Sequence, residues 1–294
     1  MKKSDIKNLV FKGGGVLGIA YAGALEVLEK EGILHQVQRV AGTSAGAITS
    51  ALVSLKYSAS EIKQVINSTD FKSFEDKWDP LRIATKYGLY KGDSFLMWMQ
   101  DKITAKGLSP DATFLDFHNA GCLDLRVFAT DLNIKNVKMF SFETTPHVVV
   151  AEAVRASMSI PMFFEAWQFK DNNPDNHIYV DGGTVFNYPI TTFDKENVSE
   201  NQTLGLFLEN LSGAPVVNDL KYDHVVGYVR ILFETVLNAQ EIDFENDPFL
   251  MSRTIRVDSF GMSALDFQLN DDQKLKLYNS GVDCTTKFLN NLSE

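Results

Sequence analysis

Three short stretches carry residue types suited to chemistry at a carbonyl: "FKGGGVLG" from Phe11 to Gly18, "GTSAG" from Gly42 to Gly46, and "YVDGG" from Tyr179 to Gly183. The middle stretch fits G-x-S-x-G, the sharp strand-to-helix turn that holds a serine exposed in a strained conformation. Glycines on both sides of Ser44 let strand and helix approach closely, and a helix starting there points its positive end at the hydroxyl. Ser44 is therefore a candidate nucleophile. Asp181 directly follows the apolar "HIYV" and precedes two glycines, so its carboxylate should stand at a strand's C-terminal end, on the edge where open α/β sheets form their ligand crevice.

Gly13, Gly15 and Gly18 also satisfy G-x-G-x-x-G, the loop that cradles a pyrophosphate between a strand and a helix. A dinucleotide site further requires an acidic residue about 20 positions on, at the end of the second strand. Here that strand runs into Gly42, Thr43 and Ser44 instead. In a right-handed βαβ unit the two strands are usually neighbours about 4.8 Å apart, which puts the Gly13 to Gly15 loop beside Ser44. Backbone N–H groups in that loop can turn toward a carbonyl oxygen under attack, as an oxyanion hole requires. The glycines thus suit acyl transfer better than nucleotide binding, and neither a cofactor nor a metal is expected.

A serine needs a base. The histidines are His35, His118, His147, His177 and His224. Only His224 follows Asp181, in the Ser, Asp, His order of α/β-hydrolases, but it falls in a long amphipathic stretch. An esterase with a Ser-Asp-His triad is the alternative this leaves open, alongside a non-catalytic lipid-binding protein.

The elements around these residues alternate. "KNLVF" is a strand, Val16 to Glu31 has helical spacing, "VQRVA" is a second strand and "AGAITSALVSL" a second helix, which predicts a parallel sheet covered by helices. The segment from about 58 to 111 has consecutive helical patterns and no strand pattern, and it starts with a capping box in "SASE". Strands resume with "LDLRVFAT" and "VKMFSF", then a helix from about His147 to Ala156, then "WQF", "HIYV", "TLGLFLE" and "TIRV". Helices over roughly Asp219 to Glu241 and Asp271 to Leu292 complete the pattern.

The 38 acidic residues outnumber 28 basic ones for a net charge of −10, which disfavours nucleic acid and strongly anionic surfaces. Cys122 and Cys284 lie in no metal or redox spacing. The apolar run after "MKKSDIK" is too short for an export signal, and no apolar stretch approaches the roughly 20 residues of a membrane-spanning helix. A cytoplasmic protein is expected, with export by a signal-independent route left open.

Together these blocks resemble the patatin-like phospholipases, lipid acyl hydrolases that use a Ser-Asp dyad. The resemblance spans nearly the whole chain. It rests on "GGGVLG", "GTSAG", "DGG" and a fourth block, "RASMSIPMFF" from Arg155. It implies one domain over residues 1–294, a three-layer α/β/α fold with a mainly parallel central sheet, and a helical insertion at about 58–111. It further implies Ser44 as nucleophile, Asp181 as its base, and the amides of Gly13, Gly14 and Gly15 as oxyanion donors. The substrate would be a phospholipid or other acyl-ester lipid, reached through peripheral membrane contact. The family usually carries Arg or Lys where this chain has Leu17, so a protein activator is one way to recruit it to lipid. The stretches "DSFLMWM" and "IPMFFEAWQF" offer apolar side chains for an acyl channel, although such helical faces are more often core. With an unperturbed carboxylate pKa of about 3.9, an aspartate base is expected to keep working somewhat below pH 6.5, where a histidine base would be protonated.

Overall fold

A computed structural model of the chain describes residues 1–194, 202–211, 225–240, 244 and 246–292. Strand β1 (Asn8–Phe11) is four buried residues in a row, the pattern of a strand covered on both faces. It leads through a short 3₁₀ turn at Gly15–Gly18 into α1 (Ile19–Lys30), then β2 (Arg39–Thr43) and α2 (Ala45–Ser54), the expected βαβα unit. The insertion opens with α3 (Ala59–Ser68), closed by the anticipated capping box: Ser58 Oγ accepts the Glu61 N–H at 3.2 Å and Glu61 Oε2 accepts the Ser58 N–H at 2.7 Å. It continues through α4 (Arg82–Lys86), β3 (Gly88–Tyr90) and α5 (Asp93–Ala105).

Beyond the insertion come α6 (Phe114–Asn119), β4 (Asp124–Asp131), β5 (Asn136–Phe140), α7 (Val150–Ser157), β6 (Met162–Phe164) and β7 (Tyr179–Asp181). Then follow β8 (Thr203–Glu209), α8 (Val225–Ala239), α9 (Pro248–Ser252), β9 (Thr254–Asp258) and α10 (Asp271–Asn290). Two expectations from the sequence change. The insertion does contain a strand, because β3 pairs in parallel with β6 in a small separate sheet. "WQF" forms no strand and contributes one bridge, Trp167 to Tyr179. Among the described residues no helix is long and apolar enough to cross a membrane.

Among the described residues the central sheet has the order β5-β4-β2-β1-β8-β9, with β7 also on β4. All pairings are parallel except those of β5 and β7 with β4. Side chains alternate between the faces: Val10, Ala41 and Phe128 pack with Ile190 and Phe193, whereas Leu9, Phe11 and Val40 join the larger cluster that includes α1 and α2. The architecture is the α/β sandwich of helices about a mainly parallel sheet. After β2 the chain builds outward to β4, and it later returns to the other side of β1 with β8. The C-terminal end of β1 is therefore a topological switch point, the place where such sheets form a ligand crevice.

The fourth sequence block fixes the insertion to this sheet. Arg155, fully buried on α7, donates from Nε to the Gly92 carbonyl at 3.1 Å and from Nη2 to the carbonyls of Lys91 at 2.8 Å and Glu165 at 3.1 Å. Burial lowers its pKa to about 10, which still leaves it charged at neutral pH. Arg155→Ala strands one buried and two partly buried carbonyls, and a buried acceptor left unpaired costs about 1–3 kcal/mol, so the expected loss of stability is about 2 kcal/mol or more. Urea unfolding checks this, and a loss below about 1 kcal/mol would show that the carbonyls find other partners.

Candidate active site

The two residues singled out by sequence come together through strand register. On one edge of β4, residues Val127–Asp131 pair with β5. On the other edge β2 pairs with Asp124–Phe128 and β7, running the opposite way, pairs with Ala129–Asp131. The strands β2 and β7 thus meet tip to tip, with Thr43 opposite Phe128 and Asp181 opposite Ala129. Ser44, one residue past Thr43, and Asp181 arrive at the same point of one strand.

Ser44 has φ 53° and ψ −124°, a conformation that costs an L residue about 1–3 kcal/mol and persists only where its surroundings impose it. The surroundings are specific. Gly46 lies so close to the end of β1 that a Cβ there would be 2.2 Å from the Phe11 carbonyl oxygen. The Ser44 N–H donates to Ser157 Oγ at 2.9 Å, and Ser157 Oγ in turn donates to the Phe128 carbonyl at 2.5 Å. Two residues on, the Ser159 carbonyl accepts the Asp181 N–H at 2.8 Å. The "RASMSIP" block is thus a clamp on both candidate catalytic residues. Its composition marked it, but the partners of its serines at this junction lie 22 to 113 positions away in the chain and left no local signal.

The glycine loop flanks this point, since Phe11 pairs with Gly42 and a Cβ on Gly13 would lie 3.2 Å from Ser44 Cβ. Its amides are not equivalent. The Gly13 N–H donates to the Asn187 carbonyl at 3.0 Å, which removes Gly13 from the three donors expected. The Gly14 and Gly15 amides have no hydrogen-bond acceptor among the described residues. Gly15 has φ +52°, and a Cβ there would fall 1.9 Å from the Ala264 carbonyl oxygen, so only glycine fits. That same carbonyl accepts the Val16 N–H at 3.0 Å, which steadies the loop from the main chain, while Leu17 is buried in the core.

Asp181 is 1% exposed and Ser44 6%. Burial pushes the Asp181 pKa up to about 7, with the nearby Ser44 hydroxyl and the Gly183 N–H, 2.7 Å from Oδ1, pulling the other way. Asp181 Oδ2 has no hydrogen-bond partner among the described residues, while the Ser44 hydroxyl lies near enough to favour the ionised carboxylate. The expectation that an aspartate base keeps working somewhat below pH 6.5 took an unperturbed carboxylate as its starting point, and burial raises this one. Burial moves this carboxylate into the range of an ordinary imidazole.

From Ser44 and Gly15 an apolar cleft runs between α2 and the insertion, walled by Ile48, Leu52, Ile62, Ile66, Phe74 and Trp98. Within the stretch Phe95 to Met99, Trp98 lines the cleft, whereas Phe95 and Met99 are core. The arrangement offers a hydroxyl, a base, two loop amides and an apolar slot, the components of acyl transfer from an apolar acyl group.

Of the histidines among the described residues, His118 stacks on Phe142, His147 lies near Asp116, His177 Nδ1 meets Asp131 Oδ2 at 2.7 Å, and His35 is exposed in the turn between α1 and β2. His224 lies outside the described residues. Asp131, Asp175 and His177 are close enough to share a cation, their ligand atoms lying within 4.8 Å of one another. Lys138 and Tyr179 already engage Asp175, and the cluster sits at the far end of β7 from Asp181.

A model of the patatin-like phospholipase family matches residues 9–194. The uncharacterized protein YqhO of Bacillus subtilis is 34% identical over 298 residues, covering 95% of this chain and 97% of its own length. The probable lipid hydrolase 463L of invertebrate iridescent virus 6 is 25% identical over 205 residues, 69% of this chain and 68% of that protein. Among solved structures, VipD from Legionella pneumophila superposes with a TM-score of 0.71 at 15% identity, over 97% of this chain and 67% of that one, which shows a shared fold.

The buried carboxylate has a thermodynamic consequence. A folded-state pKa above the unfolded value means that the folded chain binds the extra proton, so stability is lost as pH rises through about 7. Holding Asp181 ionised at pH 8 costs up to roughly 4 kcal/mol. Asp181→Asn is expected to raise the melting temperature at pH 8 and to lose that advantage near pH 4. Thermal unfolding at the two pH values checks it, and an equal shift at both would contradict the burial argument.

Proposed function

Because the chain belongs to the patatin-like phospholipase family, we propose that it is a lipid acyl hydrolase of the phospholipase A or lysophospholipase type, cleaving fatty acyl esters through Ser44 and Asp181. The observation that carries this reading is the meeting of β2 and β7 on one edge of β4, which sets a strained serine against a buried carboxylate at the head of an apolar cleft. The viral relative named as a probable lipid hydrolase agrees with it.

In this reading the acyl chain lies in the cleft toward Ile62 and Trp98, and the ester carbonyl lies over Ser44. The Ser44 oxygen attacks the carbonyl carbon as its proton passes to Asp181. The negative oxygen that develops is met by the amides of Gly14 and Gly15, with the positive end of α2 adding to the field. Collapse expels the alcohol, which takes the proton from Asp181 and leaves an acyl-enzyme. Water then attacks the acyl carbon, Asp181 receives one of its protons, and that proton returns to Ser44 as the fatty acid leaves. A base with a pKa of about 7 is half ionised at neutral pH and is matched to this exchange in both directions.

Ser44→Ala and Asp181→Asn are each expected to lower ester turnover by at least about 10³-fold, whereas His224→Ala leaves it within about threefold. The wild-type kcat/KM should rise with pH to a plateau, with its midpoint near 7, because Asp181 must lose its proton to act. A fluorophosphonate probe should label the wild type and not Ser44→Ala. Loss of activity in a folded His224→Ala protein would favour a three-residue triad, and an unlabelled wild type would favour a lipid-binding protein without turnover.

A further inference from the structure

The turn after Asp181 and the glycine loop ahead of α1 are remote in the chain, yet one side chain serves both. Gln240, the residue after α8, donates from Nε2 to the Gly183 carbonyl at 2.6 Å and accepts the Asn187 N–H on Oε1 at 2.9 Å. Each contact passes on to the site. The Gly183 N–H donates to Asp181 Oδ1 at 2.7 Å, so a hold on Gly183 is a hold on the carboxylate. The Asn187 carbonyl accepts the Gly13 N–H at 3.0 Å, so a hold on Asn187 reaches the loop that carries the Gly14 and Gly15 amides.

The turn leaves these two groups for a side chain to satisfy. The Val185 and Phe186 N–H groups both donate to the Gly182 carbonyl, at 3.2 and 2.9 Å, and neither goes to the Gly183 carbonyl. A carboxamide donates and accepts from one rigid plane, which fixes the separation of the two groups it bonds. The end of α8 is close enough to carry it. A Cβ on Gly183 would lie 2.7 Å from Leu237 Cδ2, and the Gln240 N–H donates to the Leu237 carbonyl at 3.3 Å.

Against burial, the Ser44 hydroxyl and the Gly183 N–H favour the ionised form of Asp181. Charged side chains on the elements packed around it are turned elsewhere. On α7, Arg155 meets the Gly92 carbonyl and Glu152 meets Lys170, while Asp131 on β4 meets His177 at the far end of β7. Glu234 on α8 accepts from the Ser263 hydroxyl, and Lys12 after β1 donates to the Leu208 carbonyl. Loosening Gly183 weakens its hydrogen bond to Asp181, and the carboxylate then holds its proton to higher pH.

We propose that Gln240 is a positioning residue for both halves of the machinery, its one carboxamide setting the Asp181 turn and the glycine loop at a fixed separation. The proposal rests on the acyl hydrolase reading above. Without the carboxamide, the base and the oxyanion donors shift independently, so turnover suffers at two points. Acyl binding does not, because the walls of the apolar cleft include none of Gly183, Asn187 and Gln240.

Profiles of rate against pH with a p-nitrophenyl acyl ester test this on the wild type and on Gln240→Leu, which keeps the bulk and loses both hydrogen bonds. The expected result is a plateau kcat lower by about 10- to 100-fold with KM within about threefold. The midpoint of kcat/KM should also move up by about half a pH unit or more. Should the leucine variant not fold, Gln240→Glu, equal in size, loses the donor to Gly183 and adds a negative charge beside the base turn, and is expected to move both readings the same way. A folded variant in which the plateau or the midpoint stays at its wild-type value, or in which KM carries the loss, overturns the role of Gln240 and leaves the hydrolase reading standing. A wild-type protein that turns over no ester overturns that reading, and this role with it.

Discussion

One edge of β4 carries two strands that run toward each other, and the site depends on how that junction is closed. Where β2 stops at Thr43 and β7 stops at Asp181, neither strand continues the other's hydrogen-bond ladder. Buried backbone groups left there would each cost about 1–3 kcal/mol. The end of α7 and the turn after it supply the missing partners: the Ser157 hydroxyl serves Phe128 and Ser44, and the Ser159 carbonyl serves Asp181. The same few bonds that close the sheet also position Ser44 and Asp181. Backbone satisfaction and active-site geometry are, at this junction, one requirement.

Chemistry follows from what surrounds the junction. The carboxylate is dry, so its proton affinity rises to a range useful near neutral pH, and the strained serine's hydroxyl lies near it. On the other side of Ser44 the glycine loop is held by main-chain contacts to Asn187 and Ala264. These contacts use the Gly13 and Val16 amides, and the two between them have no acceptor among the described residues. A loop steadied in this way needs no basic side chain at position 17, and Leu17 packs into the core.

Much of this was legible in the sequence, for an identifiable reason. Glycine spacing around Ser44 and after Asp181 reports local turns, and the alternation of apolar runs reports strands and helices, so the βαβα unit, β8 and α10 fall close to where the pattern puts them. What escaped was set at a distance. The strand β3 is three residues long and exists because β6 lies beside it, so no periodicity announced it. The use of the Gly13 amide by Asn187, 174 positions away, could not be read from "GGG". The raised proton affinity of Asp181 was hidden similarly, since a carboxylate's type is written in the sequence and its dryness is not.

Arg155 joins two parts of the molecule that the sequence presents as separate, the sheet junction and the helical wall of the cleft. Its guanidinium grips the chain at Lys91 and Gly92, just where the insertion turns into α5, and it sits on the helix whose last residue is Ser157. The chain leading up to that grip is pinned as well, since β3 pairs with β6 and the Gly92 and Ser94 N–H groups donate to Asp76 at 2.6 and 2.8 Å. An insertion at 91 or 92 would slide the anchor out of register with these partners and carry the disturbance along α7 to Ser157 and Ser44.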